Sequence, residues 1–155
     1  MELTARVKLD LSGEAETLAP IVRSALRYLA AQSYPQGRTG KARFRKQFLD
    51  YLRKDGWAMN ARLDSISRIT VTAVSGRAAL SFQTGNMGRF YADLLKLQYL
   101  FVRKKVDSCV LVVLGEQEGK EIDSNLASFE RTAREFELFS TFLTMPLLIV
   151  GLRKG

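Results

Sequence analysis

The alternation of apolar and polar residues predicts a strand and two helices in the first third of the chain. Residues 2–10 alternate strictly between charged or polar and apolar side chains, which is typical of a strand with one wet face. Apolar residues at helical spacing then predict a helix over residues 14–32, with Pro20 at the start of its regular part. A loop is expected over residues 33–40, followed by a second helix over residues 41–57.

The middle of the chain is rich in branched residues and predicts β structure. Residues 68–74 and 77–84 form a predicted hairpin around a Ser75-Gly76 turn, and a further strand is expected within residues 58–65. The remaining predicted elements are a helix over 87–104, a buried strand over 109–114, a helix over 125–142 and a closing strand over 146–152. This order predicts an α/β fold with a mixed sheet flanked by helices.

The chain is strongly basic, with 24 Lys and Arg residues against 16 Asp and Glu and a formal net charge of +8. The excess lies in the first two-thirds. Residues 1–57 carry eleven basic and six acidic groups and residues 58–113 carry eight and three, whereas residues 114–155 carry five and seven. A basic surface of this kind favours a polyanionic partner, with nucleic acid first. The charge alone does not distinguish DNA from RNA.

The residue types that are missing exclude several classes of chemistry. The chain has no histidine and one cysteine, Cys109, so it can form no Ser-His or Cys-His nucleophile pair, no histidine metal site and no internal disulfide. Hydrolysis would require carboxylates, lysine and an oxygen-bound ion such as Mg²⁺. No apolar run approaches the ~20 residues of a membrane span, and the alternating charges near the N-terminus do not fit a signal peptide. We expect a single cytoplasmic domain over residues 1–155.

The second strand of the predicted hairpin carries the residues on which catalysis would depend. Alternation places Ser81 and Gln83 on one face and Leu80 and Phe82 on the other. A metal-dependent nuclease uses such a face to direct a carboxylate and a Lys or Gln toward Mg²⁺ and the scissile phosphate, with a second carboxylate from the preceding strand. That preceding strand offers Thr72 instead. Because hydroxyls and an amide hold a hard cation poorly, we expect no metal ligand and no cofactor.

The most informative order of residues lies within residues 81–113. This stretch contains, in order, Gln83 near the end of a strand, Gly85 in a turn, Asp93 and Lys96 on a helix, and Asp107 before a buried strand. The order resembles the core of BglII-like type II restriction endonucleases, members of the PD-(D/E)xK superfamily. Shorter similarities, GKARFRKQFLDYLRKDGW and MPLLIVGL, extend the resemblance over residues 40–152.

The resemblance implies a restriction-endonuclease-like fold, to which residues 1–33 add an N-terminal strand and helix. It also implies double-stranded DNA as the partner and a homodimer as the assembly. The catalytic Glu of the family corresponds to Ser81, and no acidic residue stands near Thr72 to replace the catalytic Asp. We therefore interpret Thr72, Ser81 and Gln83 as vestigial catalytic positions.

Two groups of cations are candidate contacts to DNA phosphates. Five cations lie at the start of the second predicted helix, where backbone N–H groups and the helix dipole also attract anions. Two more share a face of the next helix with Asp93, where an ion-pair ladder is the alternative interpretation. The candidate DNA-binding residues are Arg38, Lys41, Arg43, Arg45, Lys46, Arg89 and Lys96.

These observations favour a DNA-binding protein built on a nuclease core that no longer cuts. Two alternatives stay open. One is a magnesium-dependent endonuclease whose acids have moved, with Asp64 and Asp93 as candidates. The other is a nuclease-derived interaction or inhibitor subunit that pairs with an active homologue.

Overall fold

The computed structural model describes residues 6–12, 18–83, 87–114 and 129–155. The strands are β1 (Val7–Ser12), β2 (Ala58–Arg62), β3 (Thr70–Ser75), β4 (Ala78–Gln83), β5 (Ser108–Leu114) and β6 (Leu147–Lys154). The helices are α1 (Pro20–Ala30), α2 (Gly37–Lys54), α3 (Met87–Val102) and α4 (Phe129–Leu138).

All six strands form one mixed sheet in the order β1-β6-β5-β4-β3-β2. The central strands β4, β5 and β6 are parallel, whereas β1 joins β6 and β2–β3–β4 join one another in antiparallel fashion. The parallel β4–β5 pair is in register from Ala78↔Ser108 to Gln83↔Val113. The predicted α/β class, with a mixed sheet flanked by helices, is confirmed.

Helices cover both faces of the sheet, and each face has its own apolar core. One core joins α1 and α2 to Leu80, Phe82 and Val110, and the other joins α3 and α4 to Ala79 and Leu111. Strand β5 is buried on both sides, as its continuous apolar sequence predicts. The two faces of β4 also follow the predicted alternation.

The helix boundaries are close to the predicted ones, with one difference that affects the candidate site. Helix α1 begins at Pro20 as predicted, and Gly56, with φ 98°, follows the end of α2 in the left-handed conformation that favours glycine. Helix α2, however, begins at Gly37, within the predicted loop, so Arg38 lies in its first turn. Gly37 has a φ of 66°, a left-handed conformation that glycine adopts without steric cost, and the helix continues from it through Gly40. None of the helices in the described part of the chain is long and apolar enough to cross a membrane.

Candidate functional site

A cleft opens where strand β3 separates from strand β4. Their ladder runs from Ser75↔Ala78 to Ala73↔Leu80. At the next residue the Thr72 hydroxyl, rather than a backbone carbonyl, accepts the hydrogen bond of the Phe82 N–H at 3.2 Å. Strand β4 stays paired with β5 as far as Gln83, so the last residues of β4 border open space on the β3 side. The resulting cleft has a volume of about 550 Å³.

Five elements contribute side chains to this cleft. They are Asn60 from β2, Thr70, Val71 and Thr72 from β3, Phe82 and Gln83 from β4, Arg45 from α2, and Arg89, Ala92, Asp93 and Lys96 from α3. The structure thus brings together two of the vestigial positions, Thr72 and Gln83, with three of the predicted DNA-binding cations. The three cations face one carboxylate.

The Asp93 carboxylate is held by its neighbours on one side of the cleft. Gln83 Nε2 donates a hydrogen bond of 2.7 Å to Asp93 Oδ2, and Lys96 Nζ lies 3.8 Å from Asp93 Oδ1. The Asp93 side chain is only 13% exposed. Burial raises the pKa of Asp93, although the Gln83 hydrogen bond and the charges of Lys96 and Arg45 act in the opposite direction. Asp93 therefore takes up a proton at a higher pH than an ordinary aspartate.

Arg45 connects helix α2 to the end of strand β4. Its Nη1 donates a hydrogen bond of 2.7 Å to the Phe82 carbonyl, and its guanidinium carbon lies 5.2 Å from the centre of the Phe82 ring. Phe82 itself packs against Phe44 and Phe48 of α2. Burial lowers the pKa of Arg45, and Asp93 counteracts that effect. The helix and the strand end are therefore held together by the same side chain that brings a positive charge into the cleft.

The sequence resemblance aligns Ser81 with the catalytic Glu of BglII-like endonucleases. In the structure, Ser81 lies beneath the cleft rather than in it. Its side chain is fully buried, and its hydroxyl oxygen has no hydrogen-bond partner in the described part of the chain. It does not line the cleft. A buried serine hydroxyl supplies neither charge nor access to a phosphate.

The described residues of the cleft do not fit a bound magnesium ion. A hard divalent cation is held mainly by anionic oxygens, and Asp93 is the one carboxylate that lines the described cleft. That carboxylate already accepts a hydrogen bond from Gln83, and the charges of Arg45, Arg89 and Lys96 would repel a cation. Within the described ranges, no three His, Cys, Asp or Glu residues form a group that could hold a metal.

The predicted cations of α2 divide into two sets. Arg45 lines the cleft and Lys41 is half-buried. Arg38, Arg43 and Lys46 are exposed on the surface of the helix. Arg45 is therefore the member of the cluster that enters the cleft, and the exposed members lie on the outer surface of the same helix.

Asp107 and Asp64, two further residues of the sequence analysis, do not lie in the cleft. Asp107 is at the opposite end of the central strands, where its Oδ2 accepts a 2.8 Å hydrogen bond from Arg77. Asp64 accepts hydrogen bonds from the N–H groups of Ile66 and Ser67, at 3.1 and 2.6 Å. These bonds, the one from Ser67 foremost, lower the pKa of Asp64 and stabilise the β2–β3 turn. Gly85 lies outside the described residues.

Asn60 lines the cleft and was not identified from the sequence. It has a φ of 48° in the middle of β2, a conformation that is uncommon for residues other than glycine but is tolerated by asparagine. A signal was present, since asparagine is depleted in strands and stands here within a predicted one. Its position beside the cleft depends on the long-range pairing of β2 and β3, which no local pattern specifies.

Comparisons with known proteins agree with the fold. A search of curated protein sequences found no match, whereas the profile of the family described as restriction endonuclease BglII/BglIII matches residues 11–152. The fold is similar to that in the crystal structure of restriction endonuclease BglII complexed with a DNA 16-mer, with a TM-score of 0.68 and 12% sequence identity. This similarity covers 97% of the present chain and 79% of the BglII chain. The chain belongs to the BglII/BglIII restriction endonuclease family.

Proposed function

We propose that this chain binds double-stranded DNA through a nuclease-type cleft that does not cleave it. The observation that carries the proposal is the charge balance among the described residues of the cleft, where Arg45, Arg89 and Lys96 line the same space as one carboxylate, that of Asp93. A metal-dependent nuclease would have acids and a metal at this place. Here fixed cations would supply the positive charge directly and attract a phosphate. Without a bound metal, no water would be activated to attack that phosphate.

The exposed cations of α2 extend this binding surface. Arg38, Arg43 and Lys46 are exposed on the same helix that contributes Arg45 to the cleft. A duplex lying over the cleft would place successive phosphates along α2. Most of the affinity would come from these phosphate contacts, and this part of it would be independent of sequence and strongly dependent on salt. The BglII restriction endonuclease was crystallised with a DNA 16-mer, which supports DNA as the partner proposed here.

The magnesium-dependent endonuclease is the alternative, and the position of Asp93 in the cleft favours it. This alternative needs a second carboxylate. Asp64 is a poor candidate for that role because its Oδ1 accepts two backbone hydrogen bonds in the β2–β3 turn. We therefore prefer the silent site.

We also propose that two copies associate through the outer surfaces of α3 and α4. Large apolar side chains are exposed there, with Leu95 65%, Leu138 72% and Phe142 76% exposed. Leu95 lines two adjoining grooves of about 260 and 350 Å³, and Phe142 lines the smaller of them. Apolar patches of this kind mark interaction surfaces, and two-fold pairing would present two clefts to one duplex. The same surface would also serve the other alternative, an interaction or inhibitor subunit that pairs with an active homologue and does not itself bind DNA.

The first prediction concerns the location of the DNA surface. The double variant R43E/K46E should weaken binding of a fixed duplex by about 100-fold or more at moderate salt. It should also lower the slope of log K against log salt by about 2, because two phosphates are no longer neutralised by the protein. The matched control R23E/R27E changes the charge equally at exposed positions of α1 and should bind nearly as the unmodified chain does. Gel retardation and fluorescence anisotropy measure both. Equal losses of affinity in the two variants would contradict the proposed surface.

The second prediction concerns pH. As the pH falls through the raised pKa of Asp93, the carboxylate loses its charge while the three cations keep theirs, so DNA affinity should rise. The variant D93N should bind about threefold tighter at neutral pH, the Coulomb effect of one charge several ångströms away in a water-like dielectric. It should also lack the acid-side rise. The control D107N removes an exposed carboxylate at the far end of the sheet and should keep the wild-type pH profile. Weaker binding by D93N would contradict this account.

The third prediction concerns assembly. Leu95 is exposed, so L95D should leave the fold intact and abolish self-association, because a carboxylate would have to be buried in the pairing surface. The control L11D places the same charge at the opposite edge of the sheet and should leave the assembly unchanged. Sedimentation equilibrium measures the mass of each variant. A monomeric wild-type chain would refute the proposed homodimer.

A further inference from the structure

Asn60 interrupts strand β2 at the rim of the cleft. The β2–β3 ladder pairs Met59 with Ala73 and Ala61 with Val71, but the pair between them is missing. At that point Asn60 has a φ of 48°. Its would-be partner is Thr72, the residue at which β3 also separates from β4. The sheet is therefore irregular on both sides of Thr72.

The left-handed conformation of Asn60 turns the strand over. In a regular strand, residues two apart face the same side, yet Met59 packs into the core beneath α1 and α2 while Ala61 packs into the core beneath α3. The residue between them is neither buried nor paired. Asn60 is exposed and borders the cleft that we assign to DNA.

The Asn60 amide is uncommitted, unlike the Gln83 amide and the Thr72 hydroxyl beside it. Within the described ranges, no residue forms a hydrogen bond with the Asn60 side chain. By contrast, the Gln83 amide donates to Asp93, and the Thr72 hydroxyl accepts from Phe82. The cations of the cleft attract phosphates of any sequence. Asn60 thus presents an unused donor and an unused acceptor where a duplex would lie.

We propose that Asn60 reads a base edge, with adenine as the best match. This inference rests on the proposed DNA-binding function and adds sequence selectivity to it. An asparagine amide can donate to adenine N7 and accept from adenine N6 at once, and each such pair discriminates against other bases by about tenfold or more. The left-handed backbone is the device that turns this amide toward the ligand rather than into either core.

Two substitutions separate the side chain from the backbone conformation. N60G keeps the left-handed conformation at no steric cost and removes the amide. N60D keeps the short side chain, which also tolerates this conformation, but replaces the donor with an acceptor. Both should show the thermal unfolding midpoint of the wild-type chain within a few degrees. R43A serves as a contrast, since it removes a phosphate contact and not a base contact.

The experiment has two steps. The wild-type chain is first used to select its preferred duplexes from a randomised pool. Dissociation constants are then measured at one salt concentration for the preferred duplex and for its single-base variants. The wild type should prefer adenine at one position by about tenfold or more. N60G should lose that preference alone, N60D should shift it toward cytosine, and R43A should weaken binding to every duplex by the same factor.

Three results would overturn the inference. N60G could keep the complete selectivity profile, it could weaken binding to all duplexes equally, or the wild type could bind every duplex with the same affinity. In each of these cases the proposed DNA-binding function stands. A wild-type chain that binds no duplex at all would instead refute the proposed function itself.

Discussion

The separation of β3 from β4 at Thr72 is the constraint on which the rest of this site depends. Once the Thr72 hydroxyl has replaced a backbone acceptor for the Phe82 N–H, the ladder cannot continue, and the end of β4 is left with β5 on one side and a cleft on the other. The buried N–H of Phe82 is still satisfied, so the opening costs little hydrogen bonding. Arg45 then binds the Phe82 carbonyl and fixes helix α2 at the border of the same opening.

The charges in the cleft follow from this geometry. Because the strand ends there, side chains from α2 and α3 reach the same space, and among the described residues they bring three cations and one carboxylate. In a metal-dependent nuclease the protein is the negative partner and the metal carries the positive charge. Here the protein carries the positive charge itself. The buried serine at the position that the resemblance assigns to the catalytic Glu, and the threonine at that of the catalytic Asp, agree with the proposed site, which would attract phosphate without activating water.

The sequence predicts the fold well and the site in part, for different physical reasons. Period-two alternation fixed the faces of β4, so the opposite orientations of Leu80 and Ala79 could be predicted locally. Gln83 and Asp93 both belong to the order of residues that carries the resemblance, but no local pattern predicted that their side chains would meet. The left-handed Asn60, the separation at Thr72 and the Phe82 contact of Arg45 depend on pairing between residues far apart in the chain, which periodicity does not reveal. The sequence rule assigned the glycine in the first turn of α2 to a loop, because glycine occurs both in loops and at the start of helices.

The most direct test of a DNA-binding cleft without cleavage is one gel of supercoiled plasmid with increasing amounts of the wild-type chain. The lanes contain Mg²⁺, Mn²⁺ or EDTA, and duplicate lanes are treated with protease before loading to reveal any cut hidden by bound protein. The account predicts retardation of the plasmid in every lane, whatever the metal, and fully supercoiled DNA after protease treatment. Nicked or linear plasmid that appears with Mg²⁺ or Mn²⁺ and disappears with EDTA would contradict it. That result would make Asp93 the first carboxylate to replace.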